Sequence, residues 1–229
     1  LVDDEWLELA QMEVADHVEG TFLEGVPTVP VSSTSETGLD AMRWELDALI
    51  ARSTVAVDRK RPRLWLDRVF AAKGSGTIGT GTLVGGSLQT DQLVTIEPGG
   101  HSARVRAIQT AGNTVEQIGA GNRVAVNLAG VDHTDVKRGD AVIEPGRWRL
   151  TKRFDASLRV LDALDHDVSR RGAYVAYLGS GEHAVKLRVL GAQELGPGTT
   201  GAVRLFLPSA LPLLPGDRFV LRESGRDET

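Results

Sequence analysis

Fixed charge, rather than acid–base or metal chemistry, is what the reactive residues of this sequence offer. The five histidines (His17, His101, His133, His166 and His183) are scattered, and none forms HxxxH or HExxH spacing. A helical metal pair needs that interval to bring two imidazoles onto one face. There is no GxSxG nucleophile elbow and no EF-hand loop. Without cysteine, disulfides, thiolate metal sites and a cysteine nucleophile are excluded, which fits a reducing compartment. A solvated or structural role is expected for each histidine.

The string Lys73-Gly74-Ser75-Gly76-Thr77-Ile78-Gly79-Thr80-Gly81-Thr82 has the composition of a phosphate cradle. It lacks the order of one. A P-loop needs GxxxxGK[ST] between a strand and a helix, and here more strand follows. By itself the string reads as a glycine-rich β-hairpin. In Val185-Lys186-Leu187-Arg188-Val189 the alternation is strict, so Lys186 and Arg188 stack their charge on one strand face. Arg204 lies in another apolar run. Such cations can neutralise phosphates without reading bases, or simply form a solvated face. Asp67 and Arg68, adjacent at a strand end, read as a surface ion pair, and Arg123 as an exposed barrel-edge arginine. Surface pairs contribute only about 0–1 kcal/mol.

The elements that must position these groups change character along the chain. Trp6, Leu7, Leu9, Ala10, Val14 and Val18 recur near the helical period behind the acidic start Asp3-Asp4-Glu5, which predicts a surface helix. Gly25 to Val31 predicts a short strand. After the polar loop Ser32 to Gly38, the spacing of Leu39, Met42, Leu46, Leu49 and Ile50 predicts a second helix. One short strand cannot shield two helices, so this is the expected close of an α/β domain. From Arg61 the period falls to two. Runs around Leu64, Leu93, Val105, Val124 and Ala141, punctuated by glycines, predict a β-barrel. A second series (Phe154–Leu161, Tyr174–Leu178, Val185–Leu190, Ala202–Leu207, Arg218–Leu221) predicts another. The chain is therefore expected to be mainly β. Its expected segments are 1–60, a helix–strand–helix remnant, 61–147, a first barrel, and 148–229, a second barrel expected to be cut short at its end.

The segment Leu66-Asp67-Arg68-Val69-Phe70 through Leu83 resembles the opening strands of domain II in elongation factors related to EF-Tu, with their D-x-x-F…G-x-G-x-V-x-T-G pattern. Gly86, Asp91, Arg104–Gln109, Ala120–Leu128, Val131 and Lys137–Val142 follow in family order. Asp67-Arg68, the Ala120-Gly121-x-Arg123-x-Ala125-x-Asn127 stretch and Pro215–Arg222 are most similar to the selenocysteine-specific, SelB-type branch. Gly172–Val175 and the Leu178–Glu182 turn sit where domain III would place them. Val29–Leu39 is similar to the last guanine-contact loop of the GTPase domain, with Ser33 in place of the usual Ala.

The resemblance implies an intact parent that binds GTP with magnesium, carries selenocysteinyl-tRNA to the ribosome and reads an mRNA recoding hairpin through further modules. It assigns Asp67, Arg68 and Arg123 to the aminoacyl pocket and Ser32 and Ser33 to a remnant of the guanine loop; with such a cargo, the charges of Lys186, Arg188 and Arg204 are expected to meet the tRNA backbone or else to form a solvated face. No GxxxxGK[ST], DxxG or NKxD occurs, so neither GTP nor magnesium is expected to bind tightly to this chain, nor is hydrolysis by it. Two other readings stay open: an EF-Tu-like factor with different tRNA cargo, or a GTP-independent β-barrel that holds a protein partner. Arginines facing one cavity would favour selenocysteine, and an exposed apolar patch would favour the partner.

A net charge of −5 confines any RNA contact to a local basic face. Proline and arginine interrupt Ala202–Leu214 well short of the roughly 20 apolar residues that span a bilayer. The acidic N-terminus lacks the form of a secretory signal. The expectation is a cytoplasmic monomer away from membranes.

Overall fold

The computed structural model describes residues 3–72 and 76–224. Lys73, Gly74 and Ser75 of the glycine-rich string, Leu1, Val2 and residues 225–229 lie outside the described residues. The chain divides into two compact units, Leu1–Val55 and Ala56–Thr229.

In the first unit, α1 (Asp4–Val18) starts where the Asp3 side chain accepts the backbone N–H of Trp6 at 2.9 Å. That bond satisfies one of the amides a helix start leaves open. α2 (Leu39–Arg52) begins behind Gly38, whose φ of 77° is a left-handed conformation. A Cβ there would stand 2.0 Å from the Pro30 carbonyl oxygen, so only glycine lets the loop close. Much of the apolar stripes of both helices remains exposed, Trp6 at 65% on α1 and Leu49 and Ile50 at 57% and 69% on α2. One expectation fails in this unit: Gly25–Val31 is not a strand. β-branched residues favour extended backbone, but a strand exists only where a neighbour takes its hydrogen bonds, and no strand is present among the described residues of this unit.

The second unit carries all sixteen strands found among the described residues. The first nine are β1 (Arg63–Ala72), β2 (Gly76–Val84), β3 (Leu88–Gln89), β4 (Leu93–Glu97), β5 (His101–Thr110), β6 (Asn113–Val115), β7 (Gln117–Ile118), β8 (Arg123–Ala129) and β9 (Ala141–Ile143). The ladder runs β4-β9-β1-β2-β8-β5, and β4 pairs with β5, which closes a six-stranded barrel. β6 extends β5 as a hairpin, and β3 and β7 form a small ribbon. Alternate residues fill the barrel. Leu64, Leu66, Leu83, Ile96, Val105, Ile108, Val126 and Leu128 are buried in one cluster, and each such side chain contributes about 1.5–3 kcal/mol by leaving water. Gly81 faces this interior, where a Cβ would lie 2.0 Å from the Trp65 carbonyl oxygen.

The later strands are β10 (Thr151–Arg159), β11 (Val168–Ser169), β12 (Tyr174–Leu178), β13 (Gly181–Leu190), β14 (Glu194–Leu195), β15 (Thr200–Leu211) and β16 (Phe219–Glu223). Five form an antiparallel sheet, β10-β15-β13-β12-β16, with β11 and β14 paired beside it. The expectation of a second barrel is corrected here. Among the described residues β10 and β16 do not pair with each other, so the sheet is a half-barrel. Closure requires tilted, staggered strands enough for the two edges to meet, and five leave a seam.

The closed barrel and the half-barrel join through specific contacts. Trp65 of β1 packs against the second core, its ring filling the space a side chain at Gly179 would need. Ser180 Oγ donates to the Leu66 carbonyl at 2.6 Å, and Arg138 Nε donates to the Ser180 carbonyl at 3.0 Å. Arg63 crosses the junction, donating from Nη1 and Nη2 to Asp217, both at 2.7 Å, and from Nη1 to the Pro212 carbonyl.

Candidate functional site

The site begins with an irregularity in β1. Leu66 is opposite Gly81 and Arg68 opposite Thr80, which leaves Asp67 as the extra residue of a β-bulge. In a regular strand, neighbours point to opposite faces. The bulge removes that constraint, so Asp67 and Arg68 both reach the outer side while Leu66 stays in the core. Across the sheet, Thr80 of β2 is opposite Ala125 of β8, and Arg123 is opposite Thr82. Burial alternates along β2 and β8, placing Thr80, Arg123 and Ala125 on that same outer side.

Asp67 is the hub. Arg123 donates to it through both Nη atoms, at 2.5 and 3.0 Å, and Thr80 Oγ1 donates at 2.8 Å. The bond from Arg123 is the largest influence on the Asp67 carboxyl and holds it below its usual range; partial burial opposes it, and Thr80 reinforces it. The same bond pushes the Arg123 guanidinium still higher. The Arg123 side chain is nonetheless 56% exposed. It lines an open cleft of about 440 Å³ together with Thr80, Gln109, Ala125 and the β5–β6 turn. Ala111 and Gly112, both at positive φ, form that two-residue turn, as tight hairpins require. Thr110 Oγ1 donates to the Arg123 carbonyl at 2.9 Å and ties the turn to β8. Arg68 stands opposite Thr80 without lining the cleft, and among the described residues its side chain makes no hydrogen bond or ion pair, acting on Asp67 through charge alone. The structure thus brings Asp67 and Arg123 together and sets Arg68 beside them.

On the half-barrel, Lys186 and Arg188 project from the outer face of β13. Lys186 lies opposite Phe206, and Arg188 opposite Arg204. Arg204 is held by Asp155 of β10 through two bonds, at 2.6 and 2.8 Å. Its charge is therefore partly neutralised, while Lys186 and Arg188 make no ion pair among the described residues. Arg188 also lines a cleft of about 760 Å³ with Arg170 and Arg171. In the first unit, the Ser32 N–H donates to the Thr37 carbonyl at 3.0 Å, and Ser32 Oγ accepts from Ser35 N at 3.2 Å. Ser33 is exposed. The Ser32 hydroxyl thus braces its own loop.

Sequence reasoning missed Thr80, Asp155 and the Arg170–Arg171 pair. Thr80 was concealed within a glycine string, although its alternation with the inward Gly79 and Gly81 marks it as outward. Asp155 needed the β10–β15 register, which sequence spacing does not contain.

The chain is 36% identical over 224 residues to a selenocysteine-specific elongation factor from Desulfomicrobium baculatum, covering 97% of this chain and 35% of that protein. A selenocysteine-specific factor from Haemophilus influenzae is 31% identical over 211 residues, covering 91% of this chain and 32% of its own length. Over nearly its whole length the chain is therefore similar to selenocysteine-specific elongation factors. Elongation factor Tu 2 from Streptomyces avermitilis is 29% identical over 98% of this chain and 61% of its own length. The crystal structure of a bacterial selenocysteine-specific factor, EF-Sec, superposes with a TM-score of 0.78 at 25% identity, over 97% of this chain and 36% of that one. SelB from Methanococcus maripaludis superposes at 0.79 with 19% identity, over 96% of this chain and 52% of that one, and so supports the fold alone. The chain spans about a third of the length of its selenocysteine-specific relatives. No protein-family model matches it. Among the described residues no helix is long and apolar enough to cross a membrane.

Proposed function

We propose that this chain carries the aminoacyl-tRNA-binding part of a selenocysteine-specific elongation factor, with the aminoacyl end held at the cleft beside Asp67, Arg68 and Arg123. The observation that carries this reading is the Arg123 guanidinium on the cleft wall, held there by Asp67 with Arg68 beside the pair, in a chain whose relatives are named for selenocysteine. A selenol is far more acidic than a serine hydroxyl, so near neutral pH the cargo is an anion and a cationic cleft separates the two by charge. A desolvated charge-assisted hydrogen bond contributes about 1.5–3 kcal/mol, enough for roughly tenfold or greater preference. Lys186 and Arg188, and Arg204 more weakly, would meet the tRNA backbone.

The whole factor would bind GTP with magnesium and deliver its cargo to the ribosome at a recoded UGA codon. Of this chain's residues, the Ser32–Ser33 loop would meet that nucleotide at the guanine edge; the sequence holds no phosphate-cradling motif, so no step of hydrolysis is assigned to it. The test is binding of selenocysteinyl-tRNA against seryl-tRNA of the same body, in fixed salt, to wild type and Arg123→Ala. A selenium preference that the substitution erases supports the cleft as the cargo site. Equal binding of both cargoes by wild type would overturn it and leave an ordinary tRNA-binding or partner-binding barrel.

A further inference from the structure

A carboxylate in the position of Asp67 has two cationic choices. Arg68 is its sequence neighbour, carried to the same outer side by the bulge, and Arg123 reaches it from β8. In the structure Asp67 is committed to Arg123, using both oxygens. The third donor is Thr80, whose hydroxyl meets Oδ1, the oxygen that also accepts Arg123 Nη2. Thr80 is opposite Arg68 on one side and Ala125 on the other, and it lines the cleft. At an outward strand position valine or isoleucine would serve the backbone equally well, so the hydroxyl is the distinguishing feature of threonine there. An arginine that is more than half exposed loses its preferred rotamer easily unless a fixed partner holds it. Asp67, 30% exposed and bonded from β2 and β8, is that partner.

We infer that Thr80 is a positioning residue for anion recognition: its hydroxyl turns the Asp67 carboxylate toward Arg123, which fixes that guanidinium at the cleft wall with its exposed side open to an incoming anion. The inference rests on the reading of this cleft as the cargo site. Loss of one hydrogen bond to a partly solvated charge predicts that Thr80→Val lowers the preference for selenocysteinyl-tRNA over seryl-tRNA about threefold to tenfold. Thr80→Ser restores it, because the donor returns. A change in packing alone would not move the Asp67 titration, followed by carboxyl-carbon NMR; the inference requires it to move upward in Thr80→Val and back in Thr80→Ser, since a donor to the ionised form has been removed and replaced.

The expected result is both changes together, with circular dichroism like wild type. The inference is overturned if Thr80→Val leaves the Asp67 titration in place. It is also overturned if the titration moves while a cargo preference that Arg123→Ala abolishes stays at the wild-type level. An Arg123→Ala protein that keeps its preference removes the cargo-site reading first, and the positioning role with it.

Discussion

Two aspartate–arginine pairs in the same unit have the same bidentate chemistry and opposite surroundings. Arg63 and Asp217 join the closed barrel to the half-barrel, with side chains 6% and 24% exposed. Arg63 is further enclosed by the rings of Trp65 and Trp148, 5.1 and 5.2 Å from its guanidinium. Asp67 and Arg123 meet at the mouth of an open cleft. A buried pair costs desolvation for both charges, so its removal by halves leaves a stranded ion. An open pair is screened by water and contributes little to stability, which leaves its charges available to a ligand. Bonding geometry alone does not tell the two pairs apart; solvent access does.

The contrast predicts a graded series of effects. Asp217→Ala strands Arg63 in the junction and is expected to cost about 3 kcal/mol or more, read from urea denaturation. A loss near that of a surface substitution would show that the junction tolerates the unpaired charge. Arg123→Ala is expected to do the reverse, leaving the urea midpoint close to wild type while lowering the selenium preference tenfold or more. If its stability falls as far as that of Asp217→Ala, the cleft pair is structural as well.

Acidity separates the groups further. Burial pushes the imidazole of His183 below its usual range, with Lys137 acting in the same direction. The unfolded chain then binds the proton more readily, and stability falls as pH drops below about 6.5. His183→Phe should flatten that slope between pH 7 and 5. Burial raises the Asp217 carboxyl, but the bonds from Arg63 and Leu214 outweigh it, and the net shift is downward. Its stabilisation is present above the ordinary aspartate range and is lost as pH falls through the depressed value. Asp140, raised by burial, acts in the opposite sense, and its stabilisation fades as pH rises. The smallest effects belong to the half-barrel face. Lys186→Ala or Arg188→Ala should each reduce the salt dependence of tRNA binding by a slope of about 0.7–0.9. Arg204→Ala should change it less, because Asp155 already occupies that guanidinium.

Much of the fold was legible because period-two burial and glycine punctuation are local signals. β8 and β12 fall where the alternation of Val124–Leu128 and Tyr174–Leu178 places them. Gly25–Val31 misled because β propensity cannot report whether a partner strand is present. The half-barrel misled for a related reason: counting strands in sequence does not reveal whether the first and last of them meet. At the candidate site, the residue types and their family resemblance pointed to Asp67, Arg68 and Arg123, but which arginine the carboxylate takes was not readable from their order.

By itself the sequence determined the alternation that sends Lys186 and Arg188 outward, the glycines that let strands approach and turn, and the lack of any phosphate-cradling motif. These follow from covalent geometry and nearest neighbours. Tertiary structure alone decided that Asp67 turns to Arg123 across 56 positions, that Thr80 joins them, and that Arg63 crosses 154 positions to Asp217. Strand register and the bulge at Asp67 set those distances, and register is a property of paired strands.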